Sequence, residues 1–262
     1  MLSRILTRKR IYIVSLTYII LGAYCYLNVL PFSEHLTFFE STMLTSTANI
    51  TIGGIYMMMI FPLISTFLLS DIFLEDEKLN IKYLWYTKYG VVKYHIINIS
   101  SIFIIVFLIT FLCFGFNFLL AYISFGNLNV SSYSLFTDFK LESYAHEITN
   151  FDLLLKSPLN FFILKNAYIS LYGALFAIFA YLISTFIKNK YIITLLPVLI
   201  YNGVGLIVSV IGRPGNSLYN LLNPNFSVVI RNPELINIYA IILIFINVCL
   251  YFVLIIKEKE YV

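Results

Sequence analysis

The stretch SDIFLEDEKLNIKYLWYTKYGVVKYH, residues 70–95, carries eight charged side chains and the only tryptophan in the chain. An uncharged apolar run ends on its left and another begins on its right. A polar island of this kind is what joins two membrane-crossing helices. A crossing helix needs about 20 apolar residues, and its flanking charges stay at the water interface.

Working outward, six runs meet that length: residues 11–30, 50–69, 96–122, 166–187, 191–211 and 236–256. None contains Asp, Glu, Lys, Arg or His. Barrel strands would alternate polar and apolar residues over about ten positions, and no such alternation is present. The expected fold is all-α: one polytopic membrane domain over residues 1–262 with six transmembrane helices. Composition agrees, with 60% hydrophobic residues, 11% charged and a mean hydropathy of +0.90 in 262 residues. A soluble domain carries about a quarter charged residues. The net charge of +4 does not suggest nucleic acid; its meaning lies in where the basic residues fall.

Twelve of the Lys and Arg residues lie on one predicted side. They are Arg4, Arg8, Lys9 and Arg10 at the start, Lys78, Lys82, Lys88 and Lys93 after the second run, Lys188 and Lys190 after the fourth, and Lys257 and Lys259 after the sixth. The opposite side holds five over longer loops: Lys140, Lys156, Lys165, Arg213 and Arg231. The bias of basic residues toward the cytoplasm predicts that both termini face inward. The predicted outer loops are 31–49, 123–160 and 212–235. The first run resembles a secretory signal in its basic start, but it is too long for one. NVLPFSEH, residues 28–35, also offers no small-residue cleavage site.

Several chemistries lack their residues. All thirteen acidic residues lie outside the six runs, whereas ion-coupled transporters place ionisable groups at membrane depth. The chain has no G-x-x-x-x-G-K-[ST] phosphate loop, no G-x-S-x-G and no H-E-x-x-H. His35, His95 and His146 are scattered in loops or at a membrane edge, where they read as solvated or interfacial. Cys25, Cys113 and Cys249 fall inside apolar runs, far from any disulfide or metal pattern. A six-helix body without an energy source would need another subunit to do uphill work.

In the island itself, Asp71, Glu75, Asp76 and Glu77 precede Lys78, Lys82, Lys88 and Lys93, the order that complements a helix dipole. Phe73, Leu79, Tyr83, Leu84 and Tyr86 fall near helical spacing, Trp85 lies beside them, and Gly90 is a break before the third span. The pattern predicts an amphipathic helix of about four turns over 71–89 on the inner side. Such a helix either rests on lipid or docks a cytoplasmic partner. The acidic cluster favours docking, since acids suit an anionic membrane surface poorly.

Six spans with both ends inside and an acid-then-base stretch after the second resemble the permease subunit of ABC-2 type transporters. Many of those carry a phenylalanine and glutamates there, then a Gly-Thr pair, an apolar helix, a Pro-x-Ser-Arg turn and a basic residue. Here Phe73, Glu75 and Glu77 supply the first part, and Asn80 stands where Gly-Thr is usual. Lys82, Tyr83, Leu84 and Trp85 match the helix, Thr87 to Gly90 replace the turn, and Lys93 matches the basic residue. LYNLLNPNFSVV, residues 218–229, is similar to the family's Leu-x-x-Leu-x-Pro stretch, whose short helices dip into the outer leaflet. Gly212, Pro214, Gly215, Pro224 and Pro233 fit a broken path of that kind.

The resemblance implies a subunit that binds no cofactor itself. ATP and Mg²⁺ would belong to soluble ATPase partners, a second permease chain would pair with this one, and the location would be a bacterial cell membrane. The implied docking residues are Phe73, Glu75, Asp76, Glu77, Lys82, Tyr83, Trp85, Tyr86 and Lys88. With 24 Phe and 21 Tyr, an aromatic and uncharged conduit suits an amphipathic peptide, a lantibiotic or another hydrophobic cargo. Asn98, Asn117, Asn202 and Asn247 could line its path, or equally hold helices together. Gly53, Gly54, Gly203 and Gly205 read as points of close helix approach. Three rival readings are a substrate-binding membrane component of an uptake system, a membrane enzyme using His146, Glu147 and Asp152, and a structural or assembly protein with no transport role.

Overall fold

The computed structural model of the chain describes residues 8–29, 61–125, 153, 156–222, 232 and 234–259. The predicted loops 31–49 and most of 123–160, the first half of the 50–69 span, and Gly53, Gly54, His35, His146, Pro224 and Pro233 lie outside them.

Every regular element among the described residues is helical. Helix α1 is Lys9–Val29, α2 is Phe61–Phe67, α3 is Ile72–Lys78 and α4 is Ile81–Tyr89. Helix α5 is Val91–Phe125, α6 is Pro158–Ser184 and α7 is Lys190–Val210. A 3₁₀ turn, Pro214–Asn216, and the short α8, Leu218–Leu222, precede α9, Leu235–Lys259. Four of these are long and apolar enough to cross a membrane, over Val91–Leu120, Leu159–Ser184, Lys190–Val210 and Leu235–Glu258.

The single helix expected over 71–89 is two helices. Asn80 breaks it with a φ of 55°, a left-handed conformation that asparagine tolerates better than most residues. Gly90, at a φ of 78°, then turns the chain into α5. A residue with a Cβ would be strained at that turn. The 35 residues of α5 extend about 52 Å at the helical rise, well beyond a hydrocarbon core of about 30 Å.

A second difference concerns Lys165, expected on an outer loop. Helix α6 starts earlier, with Pro158 in its first turn, where the fixed φ of proline suits a helix and its missing N–H goes unneeded. Lys165 therefore sits inside α6, buried, with its ammonium 5.6 Å from the Phe161 ring centre.

Cross-helix contacts set the directions. Cys113 Sγ lies 4.0 Å from the Ser15 carbonyl and Asn117 Nδ2 donates to the Gly22 carbonyl at 3.1 Å, so α1 runs parallel to α5. Asn98 meets Tyr181 and Asn166 meets the Phe111 carbonyl, so α5 and α6 are antiparallel. Tyr172 hydroxyl donates to the Ile236 carbonyl and Asn247 to the Leu175 carbonyl, placing α9 parallel to α6. The amino ends of α1, α5 and α7 and the carboxyl ends of α2, α6 and α9 thus gather at one base, beside α3 and α4.

Helix α6 is the centre, touching α2, α3, α5, α7, α8 and α9. Its small residues allow this. A Cβ on Gly173 would meet Ser65 Oγ at 3.0 Å and the Phe61 ring at 3.4 Å. Close approach is therefore served by Gly173, not by Gly203, which has nothing within 4 Å, while Gly205 meets only Ser217 at 3.7 Å. At the far end, Leu218, Leu221 and Leu222 are buried, and Tyr239 hydroxyl donates to the Asn216 carbonyl at 3.1 Å.

Candidate functional site

The base gathers the charges in two tiers. In the outer tier, Arg8 and Arg10 at the start of α1 clamp Asp71, at 3.3 Å and 2.5 Å, and Arg8 also meets Glu75 at 2.7 Å. Arg10 lies 5.1 Å over the Phe67 ring. These contacts hold the α3 amino end against α1 and α2. On the other flank of α3, Glu77 accepts from Lys82 at 3.0 Å and from Lys188. Lys82 lies 5.0 Å over Phe73 and 3.9 Å from Glu258. Burial alone would raise the Glu77 pKa, but the hydrogen bonds and charges of Lys188 and Lys82 outweigh it and bring it below the ordinary value of 4.5.

The inner tier is a buried hydrogen-bond chain through four helices. Tyr86 on α4 donates to Glu258 Oε2 on α9 at 3.1 Å. Its oxygen also lies 3.1 Å from His95 Nε2 on α5. His95 Nδ1 is 2.8 Å from the Tyr181 hydroxyl on α6, which accepts from Asn98 Nδ2 at 3.2 Å. Since the one proton of Tyr86 goes to Glu258, His95 Nε2–H is the donor to Tyr86. Tyr181, accepting from Asn98, gives its own proton to His95 Nδ1. The chain is consistent with a neutral Nε2–H imidazole and leaves no buried ring nitrogen unmatched. Burial, then the charge of Glu258, pushes the Tyr86 phenol far above its usual pKa of 10.0, so it remains a donor. Nearby, Tyr94 donates to Asp76 Oδ2 at 2.6 Å, tying α5 to α3.

The docking residues expected from sequence separate into two groups. Phe73, Asp76, Lys82 and Tyr86 are buried and face the bundle. Glu75 and Glu77 are partly exposed and engaged with Arg8, Lys82 and Lys188. Trp85 is half-buried against the core and stacks on Tyr89 at 5.2 Å. Tyr83 and Lys88 are exposed, as is Leu84, with 70% of its surface free. The elbow of α3 and α4 is therefore fastened on one face and bare on the other.

The four asparagines do not form one ring. Asn98 and Asn117 lie 19 positions apart on α5, about 28 Å at the helical rise. Asn98, Asn117 and Asn247 each donate to a neighbouring helix, and Asn202 donates to the Val198 carbonyl of its own helix at 3.1 Å. Cys113 is buried and Cys249 exposed.

Sequence reasoning missed His95, Tyr181, Tyr94 and Glu258 as a cluster. His95 and Tyr181 are 86 positions apart and Tyr86 and Glu258 are 172 apart, so no spacing links them. The available signal was weak: His95 immediately precedes one apolar run, and Glu258 follows another with Lys257 between. Among the described residues, no three His, Cys, Asp or Glu side chains gather as a metal-binding group.

Comparison with protein-family models, with curated proteins and with solved structures found no match. What the described residues define is an all-helical body with four helices able to cross a membrane and a charged, cross-linked base.

Proposed function

We propose that this chain is the membrane subunit of an ATP-driven exporter in a bacterial cell membrane. Six spans run from an inward N-terminus to an inward C-terminus. A separate soluble ATPase docks on the α3–α4 elbow, and a second permease chain completes the pathway. The cargo is an amphipathic peptide, a lantibiotic or another hydrophobic compound.

The observation that carries this reading is the two-faced elbow. Its inner face is fastened to α1, α5, α9 and the turn between α6 and α7 through Asp71, Asp76, Glu77, Lys82 and Tyr86. Its outer face presents Leu79, Tyr83 and Leu84 at the charged base. Force applied there would pass to several long helices at once, which is what a coupling element requires. Topology adds support, since Lys9–Val29 leaves the base and Phe61–Phe67 returns to it before the four long helices.

The test is affinity capture of the tagged chain from its own membrane in mild detergent. We expect a soluble protein with a phosphate-loop motif to be retained, and to be lost from Leu84→Asp. The elution profile and helix content of that variant should stay unchanged. If Leu84 is a hot spot, Leu84→Ala should weaken the complex by about 2 kcal/mol. Retention unaffected by Leu84→Asp would remove the elbow as the docking site.

A further inference from the structure

A recess of about 290 Å³ opens at the base where α4, α6 and α9 meet. Lys82, Lys188 and Lys257 line it, with Glu77, Glu258 and Thr185. Three ammonium groups thus face two carboxylates, leaving one positive charge in excess. That excess rests on Lys257. Lys82 and Lys188 are bound to Glu77, whereas among the described residues Lys257 donates only to the Thr185 carbonyl at 3.0 Å and lies 4.8 Å over the Phe186 ring. Among the described residues no carboxylate reaches it. An ammonium has three donors, so two remain for a ligand.

We infer that the recess binds the phosphodiester of an anionic membrane phospholipid. The charge fits, because a phosphodiester carries one negative charge, whereas a phosphate monoester carries about −1.5 to −2 at neutral pH. The space fits, since about 30 Å³ per water gives room for roughly ten waters. The surroundings select a lipid over a free ion. Val253 lies one turn from Lys257 on the same face of α9. With Phe252, Ile256 and Phe186 it forms an exposed apolar wall beside the recess, along which an acyl chain can lie. The inference stands apart from the transport reading and requires only that these helices are in a bilayer.

The experiment is native mass spectrometry of the full chain purified in detergent and supplied with phosphatidylglycerol or phosphatidylcholine of identical acyl chains. We expect phosphatidylglycerol to be retained at least fivefold more. Lys257→Gln should abolish that preference, Lys257→Arg should keep it, and Lys88→Gln, on the far face of the elbow, should leave it intact. Helix content by circular dichroism checks that each variant folds. Should Lys257→Gln fail to fold, the wild-type preference between the two lipids still decides. No preference overturns the inference, as does equal loss in Lys257→Gln and Lys88→Gln. Displacement of phosphatidylglycerol by millimolar inorganic phosphate would overturn the lipid and assign a free-phosphate site instead.

Discussion

Asp71, Lys82 and Glu258 at the base keep 3%, 6% and 7% of their side chains exposed, whereas Leu199 and Val210 on α7 keep 66% and 86% of theirs. The base buries charge and the α7 flank exposes leucine, the reverse of a soluble protein. The same inversion separates two helices of similar composition. The most apolar stretches of α6 and α7 have mean hydropathies of 1.8 and 2.1, yet 78% of the first is buried inside the protein and only 17% of the second. Hydropathy therefore marks that a helix can enter a membrane and says nothing about which neighbour it will have. In lipid there is no hydrophobic drive between helices, so contact goes to surfaces with small residues and matched polar groups. Helix α6 has both, in Gly173, Ala174, Ala177 and Ala180 and in Ser170, Tyr172, Tyr181 and Ser184.

The largest effect is expected where charge is buried. Asp71 is the acceptor shared by Arg8 and Arg10. Asp71→Ala would leave two guanidinium groups without it, at a cost of about 3 kcal/mol. Reversible unfolding in mixed micelles would measure this. A loss below about 0.5 kcal/mol, the range of an ordinary surface change, would mean that the base is as well hydrated as a surface and that the contrast is false.

Next comes packing on α6. Gly173→Val places carbon where Ser65 Oγ and the Phe61 ring already stand. Overpacking of this kind costs about 1–3 kcal/mol. The same change at Gly203, with nothing within 4 Å, should be nearly silent in the same assay. Equal effects at the two glycines would show that contact with Ser65 and Phe61 does not set the cost at Gly173.

A smaller effect follows from pH. The pKa of Glu77 is lowered in the folded protein by Lys188 and Lys82, so folding favours its charged form. Its contribution is complete above the ordinary carboxylate value of 4.5 and fades as pH falls below it. Stability of the wild type should therefore drop on acidification through that range, and Glu77→Gln should show a shallower drop. Identical slopes would take Glu77 out of the linkage.

How much of this was legible beforehand follows the same division. Runs of uncharged residues predicted both ends of α1, α7 and α9 closely, because backbone satisfaction in lipid leaves helices few alternatives, whereas α5 and α6 begin well before their runs, at Val91 and Pro158. Gly90 was readable as a break, since φ above zero is cheap only without a Cβ. Asn80 was not, because an asparagine can also continue a helix at modest cost and its left-handed conformation shows only in the fold. The inward turn of Phe73, Asp76, Lys82 and Tyr86 was equally hidden. A helix pattern names an apolar stripe, but the base turned charged residues inward as well, and their partners lie as far along the chain as Glu258. Lys165 was misplaced on a loop because a charge ended the apolar count, while the helix itself continued around it.

The smallest expected effect is on the α7 flank. Leu199→Ala removes apolar surface that already faces outward, so within one chain it should change stability by less than about 0.5 kcal/mol. The measurement is worth making because the flank has two possible neighbours. If lipid covers Leu199, the change stays this small at every protein concentration in the micelle. If a second copy of the chain covers it, as a paired permease would require of some face, the loss should grow as the protein is concentrated, since subunit contacts add to stability by mass action. A dependence on concentration at Leu199 and none at Leu108, an exposed leucine on α5, would turn the bare flank from a lipid surface into an interface and would sharpen the contrast with the base.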